Sequence, residues 1–262
     1  MKILKVLLIS VIATMSVSCG NVTEEIYLNE DGSGEYGLYY DMIPAAVDMS
    51  MQMAVMFGKV DTTNSMAMDS LRNAVLNKVW EDFPDKVDSV IDLAEGVPDS
   101  LLNYGNNRQY VEKTHGYMRG SREEGSIYMG MKYPFKGTTE LNGYLDFVNR
   151  SQQAKSAGRR GVSVSGINST KTDATYTFSK NKFTRKVKIS NPQDPEEKSF
   201  ALLKNMMSDA TYTTIINTPK NVEKVKTKGQ YSIEGKKVIF TYKLLDILTG
   251  EADMDLQITL ED

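Results

Sequence analysis

The side chains that most often perform chemistry in proteins are scarce in this sequence. The chain of 262 residues contains one cysteine, Cys19, and one histidine, His115. A Ser-His-Asp triad would have to use His115, and no Gly-x-Ser-x-Gly turn that would present a nucleophilic serine occurs. One histidine cannot supply a zinc site built from several Cys or His ligands. We therefore predict a structural or surface role for His115, no metal site and no cofactor.

Carboxylates are the remaining groups that could catalyse a hydrolysis. Pairs are present at Glu123/Glu124 and Asp253/Asp255. A glycosidase needs two carboxylates facing each other across a cleft at about 5–10 Å, and pairs along the chain do not show that arrangement. A carboxylate hydrolase therefore stays an alternative to a non-enzymatic function.

The amino-terminal segment has the organisation of a secretory signal. Lys2 and Lys5 give it a positive start, and an apolar stretch from Val6 to Met15 follows. A positive start, an apolar core of 7–15 residues and a small-residue exit define such a signal. The apolar stretch is about half of the ~20 residues that a membrane-spanning helix requires. We predict a signal peptide over residues 1–18 and a single domain over residues 19–262.

The exit of this signal resembles a bacterial lipobox. Its residues are Ser16-Val17-Ser18-Cys19-Gly20, with Ser16 at the place where the commonest lipoboxes carry Leu. The resemblance implies that Cys19 is acylated, palmitate included, and becomes the first residue of the mature chain. Because Cys19 is the only cysteine, it has no disulfide partner within the chain, which also favours lipidation. Two or three acyl chains would give lasting membrane attachment.

Length and charge limit the classes of partner. Some 240 residues can form one large domain with its own core. Removal of the signal takes away Lys2 and Lys5 and no acid, so the mature chain is more negative by two than the −3 of the full sequence. An acidic chain is not expected to bind nucleic acid. The expected partners are membrane lipid, through acylated Cys19, and an envelope protein, glycan or lipid.

The first segment of the predicted domain is a β-hairpin. Val22, Glu24, Ile26 and Leu28 share one face of an extended chain, and a polar turn at residues 30–34 leads into a second alternating segment from Tyr36. The stretch Ile26-Tyr-Leu-Asn-Glu-Asp-Gly-Ser-Gly-Glu-Tyr36 resembles the opening hairpin of uncharacterised cell-envelope lipoproteins of the Bacteroidetes type, and more distantly that of the mycobacterial LppM-type lipoproteins. This resemblance implies an outer-membrane location, on the periplasmic or the surface side. The Glu24-Glu25 pair is similar to an acidic surface-sorting signal, and a polar strand edge is the alternative.

Four helices are predicted after the hairpin. Apolar residues recur at helical spacing from Asn64 to Phe83, and a second helix is predicted from Asp85 to Glu95. A third helix is expected at residues 138–150. A fourth helix is expected at residues 194–208, where Asp194 and Pro195 favour a helix start.

Two segments have unusual composition. Residues 42–68 carry Met42, Met49, Met51, Met53, Met56, Met66 and Met68. Methionine is a flexible core filler that also suits contact surfaces, so core or contact surface is favoured over a Cu(I) site, and a carrier of an apolar ligand stays a further alternative. Residues 151–171 combine Lys155, Arg159, Arg160 and Lys171 with Ser and Gly, which predicts a flexible basic loop.

The carboxyl-terminal third predicts a meander of strands. The pattern is clearest at the end, where Met254, Leu256, Ile258 and Leu260 alternate with polar residues, as in a half-buried strand. Together these patterns predict an α+β fold, with a twisted antiparallel β-sheet and helices packed on one face. The predicted function is that of a membrane-anchored, non-enzymatic binding or structural module of the cell envelope.

Overall fold

Groups of strands and helices alternate up to residue 158, and strands predominate among the described residues after it. The structure, a computed structural model, describes residues 21–56, 65–91, 99–158, 171–196, 200, 204 and 210–262. Its strands are β1 (Val22–Leu28), β2 (Gly34–Asp41), β3 (Lys86–Ile91), β4 (His115–Ser121), β5 (Ser126–Phe135), β6 (Lys171–Ser179), β7 (Lys182–Ser190), β8 (Thr211–Asn217), β9 (Val222–Thr227), β10 (Tyr231–Glu234), β11 (Lys237–Lys243) and β12 (Leu256–Leu260). Its helices are α1 (Met42–Met56), α2 (Ser65–Asp82), α3 (Asp99–Leu102), α4 (Asn107–Lys113), α5 (Thr138–Gly158) and α6 (Leu244–Leu248).

The strands form two sheets rather than the single sheet that the sequence predicts. The larger sheet has eight strands in the order β10-β11-β8-β1-β2-β5-β4-β3, and the smaller sheet has four in the order β6-β7-β12-β9. All neighbouring strands within the described segments are antiparallel except β1 and β8, which run parallel. The predicted first hairpin is confirmed as β1 and β2.

One face of the eight-stranded sheet carries the core. Ile26 of β1 and Phe240 of β11 pack with Phe183 and Ile258 of the four-stranded sheet and with Leu141 of α5. On the same face, α1 and α2 cover β4 and β5 through a second apolar cluster. This arrangement confirms the predicted α+β class with a largely antiparallel sheet and helices on one face.

Helix α5 covers one of the two edges of the four-stranded sheet, the edge at β6. The side chain of Asn142 accepts a hydrogen bond from the backbone N–H of Tyr176 at 2.8 Å and donates one to the Tyr176 carbonyl at 2.9 Å. The amide thus imitates a neighbouring strand at the edge strand β6. An edge covered in this way cannot pair with another chain.

The predicted helix from Asp85 to Glu95 is wrong. Residues 86–91 form strand β3, which pairs with β4 along its whole length. Pairing with β4 satisfies the backbone of this segment, and this tertiary contact outweighs the helical spacing of Val87, Val90 and Ile91. The preceding prediction is confirmed, because α2 spans most of residues 64–83 and ends just before Pro84.

Two other parts of the structure differ from the predictions. Helix α4 occupies residues 107–113, where no helix is predicted, and β4 follows it from His115. Within the predicted flexible loop at 151–171, residues 151–158 instead belong to α5, and Lys171 is the first residue of β6. The remainder of that predicted loop lies outside the described residues.

The methionine-rich segment is partly helical and partly core. Met42, Met51 and Met68 belong to the cluster that α1 and α2 form over the sheet, whereas Met66 is 81% exposed. Packing is therefore the observed role of three of these methionines. The predicted helix at 194–208 lies largely outside the described residues, as do Cys19 and the whole of the predicted signal peptide.

Candidate functional site

A charged cluster lies at the centre of the core, where the two sheets meet. We call Glu24, Tyr176, Arg185 and Thr214 the buried ion-pair cluster. Glu24 is on β1 and Thr214 on the adjacent β8, whereas Tyr176 and Arg185 face each other on β6 and β7 of the other sheet. The side chains of Glu24 and Arg185 are each 2% exposed. A charge at this depth must be paired, because an isolated one would lose its hydration without compensation.

Every strong hydrogen-bonding group of the pair has a partner. Arg185 Nη2 donates to Glu24 Oε2 at 2.8 Å, and its Nη1 donates to the carbonyl of Met254 at 3.1 Å. Its Nε donates to the Tyr176 hydroxyl at 3.2 Å, and that hydroxyl donates to Glu24 Oε1. Thr214 Oγ1 donates to Glu24 Oε2 at 3.1 Å. The cluster therefore joins two strands of the four-stranded sheet, and the segment just before β12, to two strands of the eight-stranded sheet.

The protonation states follow from this network. Burial lowers the pKa of Arg185, but the carboxylate of Glu24 together with the hydroxyl groups of Tyr176 and Tyr212 outweighs this effect, and the pKa lies well above its usual value. Burial, and next the negative charge of Glu24, raise the pKa of Tyr176, so its hydroxyl keeps its proton and can donate it in a hydrogen bond. Since these groups are satisfied by one another, the cluster acts as a cross-link between the sheets.

The interpretation of Glu24 as part of a polar strand edge is wrong. Strand β1 lies between β2 and β8 in the interior of the sheet, and Glu24 points into the core. Only Glu25, on the opposite face, is accessible, and it accepts hydrogen bonds from Asn217 at 2.9 Å and from Tyr39 at 3.4 Å. The proposed sorting role of the pair stays a prediction.

The outer face of the four-stranded sheet is rich in lysine. We call the following residues the lysine face: Lys182, Lys186 and Lys188 of β7, Lys224 and Lys226 of β9, and Lys228 just after β9. All six are exposed, because they alternate along their strands with residues that point into the core. Between these lysines, the outward positions of β12 hold the uncharged Gln257 and Thr259. The lysine face is thus two basic strands separated by a neutral one.

A groove of about 420 Å³ crosses the lysine face. Apart from Leu256, the residues that line it are of polar or charged type, and they include Thr184, Lys186, Lys226, Lys228 and Gln257. The sequence-predicted carboxylate pair, Asp253 and Asp255, lines the same groove. The structure therefore brings one of the two carboxylate pairs to a concave surface, whereas Glu123 and Glu124 are exposed in the turn between β4 and β5.

Both groove carboxylates are occupied by lysines. Asp255 is 2.9 Å from Lys186 Nζ, and Asp253 is 2.9 Å from Lys228 Nζ. Partial burial raises the pKa of Asp255, but the backbone N–H of Val187 and the ammonium of Lys186 outweigh it, so this pKa is lowered. A lowered pKa suits a fixed counter-charge and opposes the role of a proton donor at neutral pH.

A tyrosine-rich surface lies on the other open face, the outer side of the eight-stranded sheet. We call Tyr27, Tyr39, Tyr117 and Tyr128 the tyrosine face; Tyr39 and Tyr128 meet edge to face with ring centroids 5.8 Å apart. Tyr27 is 45% exposed, and partial burial followed by its hydrogen bond with Glu25 raises its pKa to about 12. His115 lies exposed on this side at the start of β4. Tyr27 therefore keeps its proton and is a neutral contact group at physiological pH.

A glycine motif in the first hairpin forms no site of its own. Gly32, Gly34 and Gly37 have the spacing of a phosphate-binding glycine motif, but they lie in the β1–β2 turn and in β2, without the helix amino terminus that such sites use. Among the described side chains, no group of three or more His, Cys, Asp and Glu residues could hold a metal ion. Within the same segments, no helix has the length and apolar character needed to cross a bilayer.

No protein-family profile and no curated protein sequence matches the chain. Among solved structures, the folded domain of LppM from Mycobacterium tuberculosis, determined by NMR, is similar at 12% sequence identity with a TM-score of 0.39. The match covers 93% of this chain and 90% of the LppM domain. LppM is therefore a distant structural neighbour, at a level of similarity that transfers no function. The resemblance to Bacteroidetes-type lipoproteins stays a prediction.

The sequence contains an indication of the buried ion-pair cluster that the sequence-based predictions do not use. Glu24 shares the apolar face of β1 with Ile26, and Arg185 shares the apolar face of β7 with Phe183. A charged residue inside an apolar alternation requires a buried partner of opposite charge. The lysine face had no comparable signal, because the order β7-β12-β9 is set by pairing between segments far apart in the chain.

Proposed function

We propose that this chain is a lipid-anchored, non-enzymatic binding module of a bacterial cell envelope, held in the outer membrane by acylated Cys19. The observation that carries this proposal is the location of the polar groups, some of which are buried between the sheets while others are exposed on their outer faces. The buried charges are used to join the two sheets, and the groups available to a partner lie on the broad outer faces of those sheets. Broad polar faces suit contact with an extended ligand or another envelope component.

The ion pairs of the groove support a binding role over hydrolysis. Asp253 and Asp255 each neutralise a lysine, and the pKa of Asp255 is lowered rather than raised. A hydrolase that uses two carboxylates needs one of them protonated at working pH. The groove therefore has the groups to hold a ligand but lacks a suitable acid at Asp255.

Reciprocal crosslinking in intact cells, followed by capture from envelope fractions, tests this function. The chain is crosslinked in intact cells and captured, and each co-purified protein, glycan or lipid is then used to recover the chain in return. We expect the same envelope component in both directions, together with loss of the crosslink in a Cys19→Ala variant that cannot be anchored. Repeated capture without any enriched component would contradict a binding role.

A further inference from the structure

Resting on this proposed binding role, we propose that the lysine face binds an acidic polysaccharide, a sugar polymer with repeating carboxylate groups. The chain as a whole is acidic, so six lysines on one face oppose its net charge. The groove gives this face a depression in which a linear chain can lie.

The charge balance leaves several lysines available to a ligand. Asp255 and Asp253 engage Lys186 and Lys228, and Asp173 stands opposite Lys188 across β6 and β7. Glu223 lies at the bulge of β9 beside Lys224. No described side chain forms an ion pair with Lys182, Lys224 or Lys226. These three ammonium groups are therefore available to bind the carboxylate groups of a polymer.

The spacing of the lysines fits a linear polyanion. Lysines two positions apart on one strand project about 7 Å from one another, and β7 and β9 lie about 10 Å apart on either side of β12. Gln257 and Thr259 form a neutral floor between the two basic strands and can hydrogen-bond to sugar hydroxyls. A polymer lying along β12 would therefore meet lysines on both sides.

The composition of the face favours a polysaccharide over two other anionic partners. A surface that inserts into a bilayer carries apolar or aromatic side chains beside its basic ones. A surface for single-stranded nucleic acid carries aromatic side chains on which bases stack. The described outward positions of β6, β7, β9 and β12 hold Lys, Thr, Ser, Gln, Asp and Glu, and none of them holds an aromatic or large apolar side chain.

Binding of purified full-length chain to oligogalacturonate, a uronic acid polymer, tests the proposal. The face variant combines Lys182→Gln, Lys224→Gln and Lys226→Gln. The control variant combines Lys78→Gln, Lys86→Gln and Lys243→Gln, which remove the same charge from exposed positions elsewhere. We expect the wild type and the control to bind alike, and the face variant to bind about tenfold more weakly. Binding of the wild type should also weaken as salt is added.

Parallel measurements with uncharged dextran, anionic lipid vesicles and single-stranded DNA identify the occupant. No binding of oligogalacturonate, equal binding by the face variant, or equal loss in the control would overturn the proposal. Preference of the wild type for vesicles or DNA would also overturn it. Because reciprocal crosslinking does not depend on this probe, a component recovered there would leave the wider binding function standing after such a result.

Discussion

Tyr176 and Tyr242 are both buried tyrosines, yet their hydroxyl groups have opposite surroundings. Tyr176 donates to Glu24 and accepts from Arg185, whereas the hydroxyl of Tyr242 has no hydrogen-bond partner within the described part of the chain. A satisfied buried hydroxyl contributes to stability, and an unsatisfied one costs its lost hydration. Tyr176 and Tyr242 therefore allow a satisfied and an unsatisfied buried hydroxyl group to be compared in one protein.

The Phe substitution should act in opposite directions at the two positions. Tyr176→Phe should lower the free energy of unfolding by about 1–3 kcal/mol, because it leaves Glu24 with one donor fewer. Tyr242→Phe should leave it unchanged or raise it by up to about 1 kcal/mol. Urea denaturation of both variants measures this difference. An equal loss of stability in Tyr242→Phe would show that its hydroxyl is satisfied.

The ion pair itself allows a second prediction at the residue scale. Arg185→Met should cost about 3–5 kcal/mol, because the carboxylate of Glu24 would stay buried without a counter-charge. The double variant Glu24→Leu with Arg185→Met should recover much of that loss, since apolar replacements of both partners are often neutral. Urea denaturation of Glu24→Leu, Arg185→Met and the double variant gives the coupling free energy between the two side chains. Additive losses would contradict a direct interaction.

For single residues, the sequence predicts which face of a strand a side chain occupies, but it does not predict which residue that side chain contacts. The alternation of Val22, Glu24, Ile26 and Leu28 places all four on one side of β1, and the structure confirms that side as the core. The partner Arg185 lies 161 positions away in the chain. Only the packing of one sheet on the other brings them together, so no local pattern could assign the pair.

Glu140 connects three elements and makes one junction of the fold sensitive to acid. Its carboxylate accepts hydrogen bonds from Lys113 of α4 at 2.7 Å, from Tyr133 of β5 at 3.0 Å and from the backbone N–H of Lys136 at 2.8 Å. Partial burial raises its pKa, but Lys113 and the other donors outweigh burial, so the pKa lies below its usual value. Glu140 thus fastens α5 to the sheet in its ionised form.

The lowered pKa predicts how this junction depends on pH. Because the pKa of Glu140 in the folded chain is below the 4.5 of an unperturbed glutamate, its contribution is complete above pH 4.5 and is lost as the pH falls through the folded value. Glu140→Gln should therefore cost about 1 kcal/mol at pH 7, and this difference from the wild type should shrink at pH 3.

Urea denaturation at both pH values measures this effect. The variant Glu112→Gln changes an exposed glutamate on the adjacent helix α4 and should show no such convergence. A cost of Glu140→Gln that is the same at pH 3 and pH 7 would contradict the assigned role of the carboxylate.

Elements were predictable where local pattern and tertiary environment agree. The final strand alternates apolar and polar residues, and β12 buries its apolar positions as expected. Helix α2 likewise follows its apolar spacing. In β3 the same kind of spacing failed, because pairing with β4 can hold a short segment extended whatever its helical periodicity.

At the scale of the whole molecule, the α+β class was predictable and the division into two sheets was not. The parallel pairing of β1 with β8 and the position of β12 between β7 and β9 join segments that are distant in sequence. That division creates the lysine face and the tyrosine face. The positively charged segment that the sequence predicts is instead 151–171, most of which lies outside the described residues.

The anchor is the feature on which the proposed function depends most directly. Only two residues separate Cys19 from Val22, the first residue of β1. An acylated Cys19 would therefore hold the folded domain close to the membrane surface, with both outer faces available to envelope components. The loss of this one sulfur atom should release the protein without altering its fold.

Metabolic labelling with a palmitate analogue, followed by membrane fractionation, tests the central claim of a lipid-anchored module. We predict that the wild type incorporates the label and sediments with membranes, and that Cys19→Ala does neither. Ser16→Leu, which introduces the residue of the commonest lipoboxes, should keep both properties. Label retained by Cys19→Ala, or a wild type that takes up no label, would contradict the account.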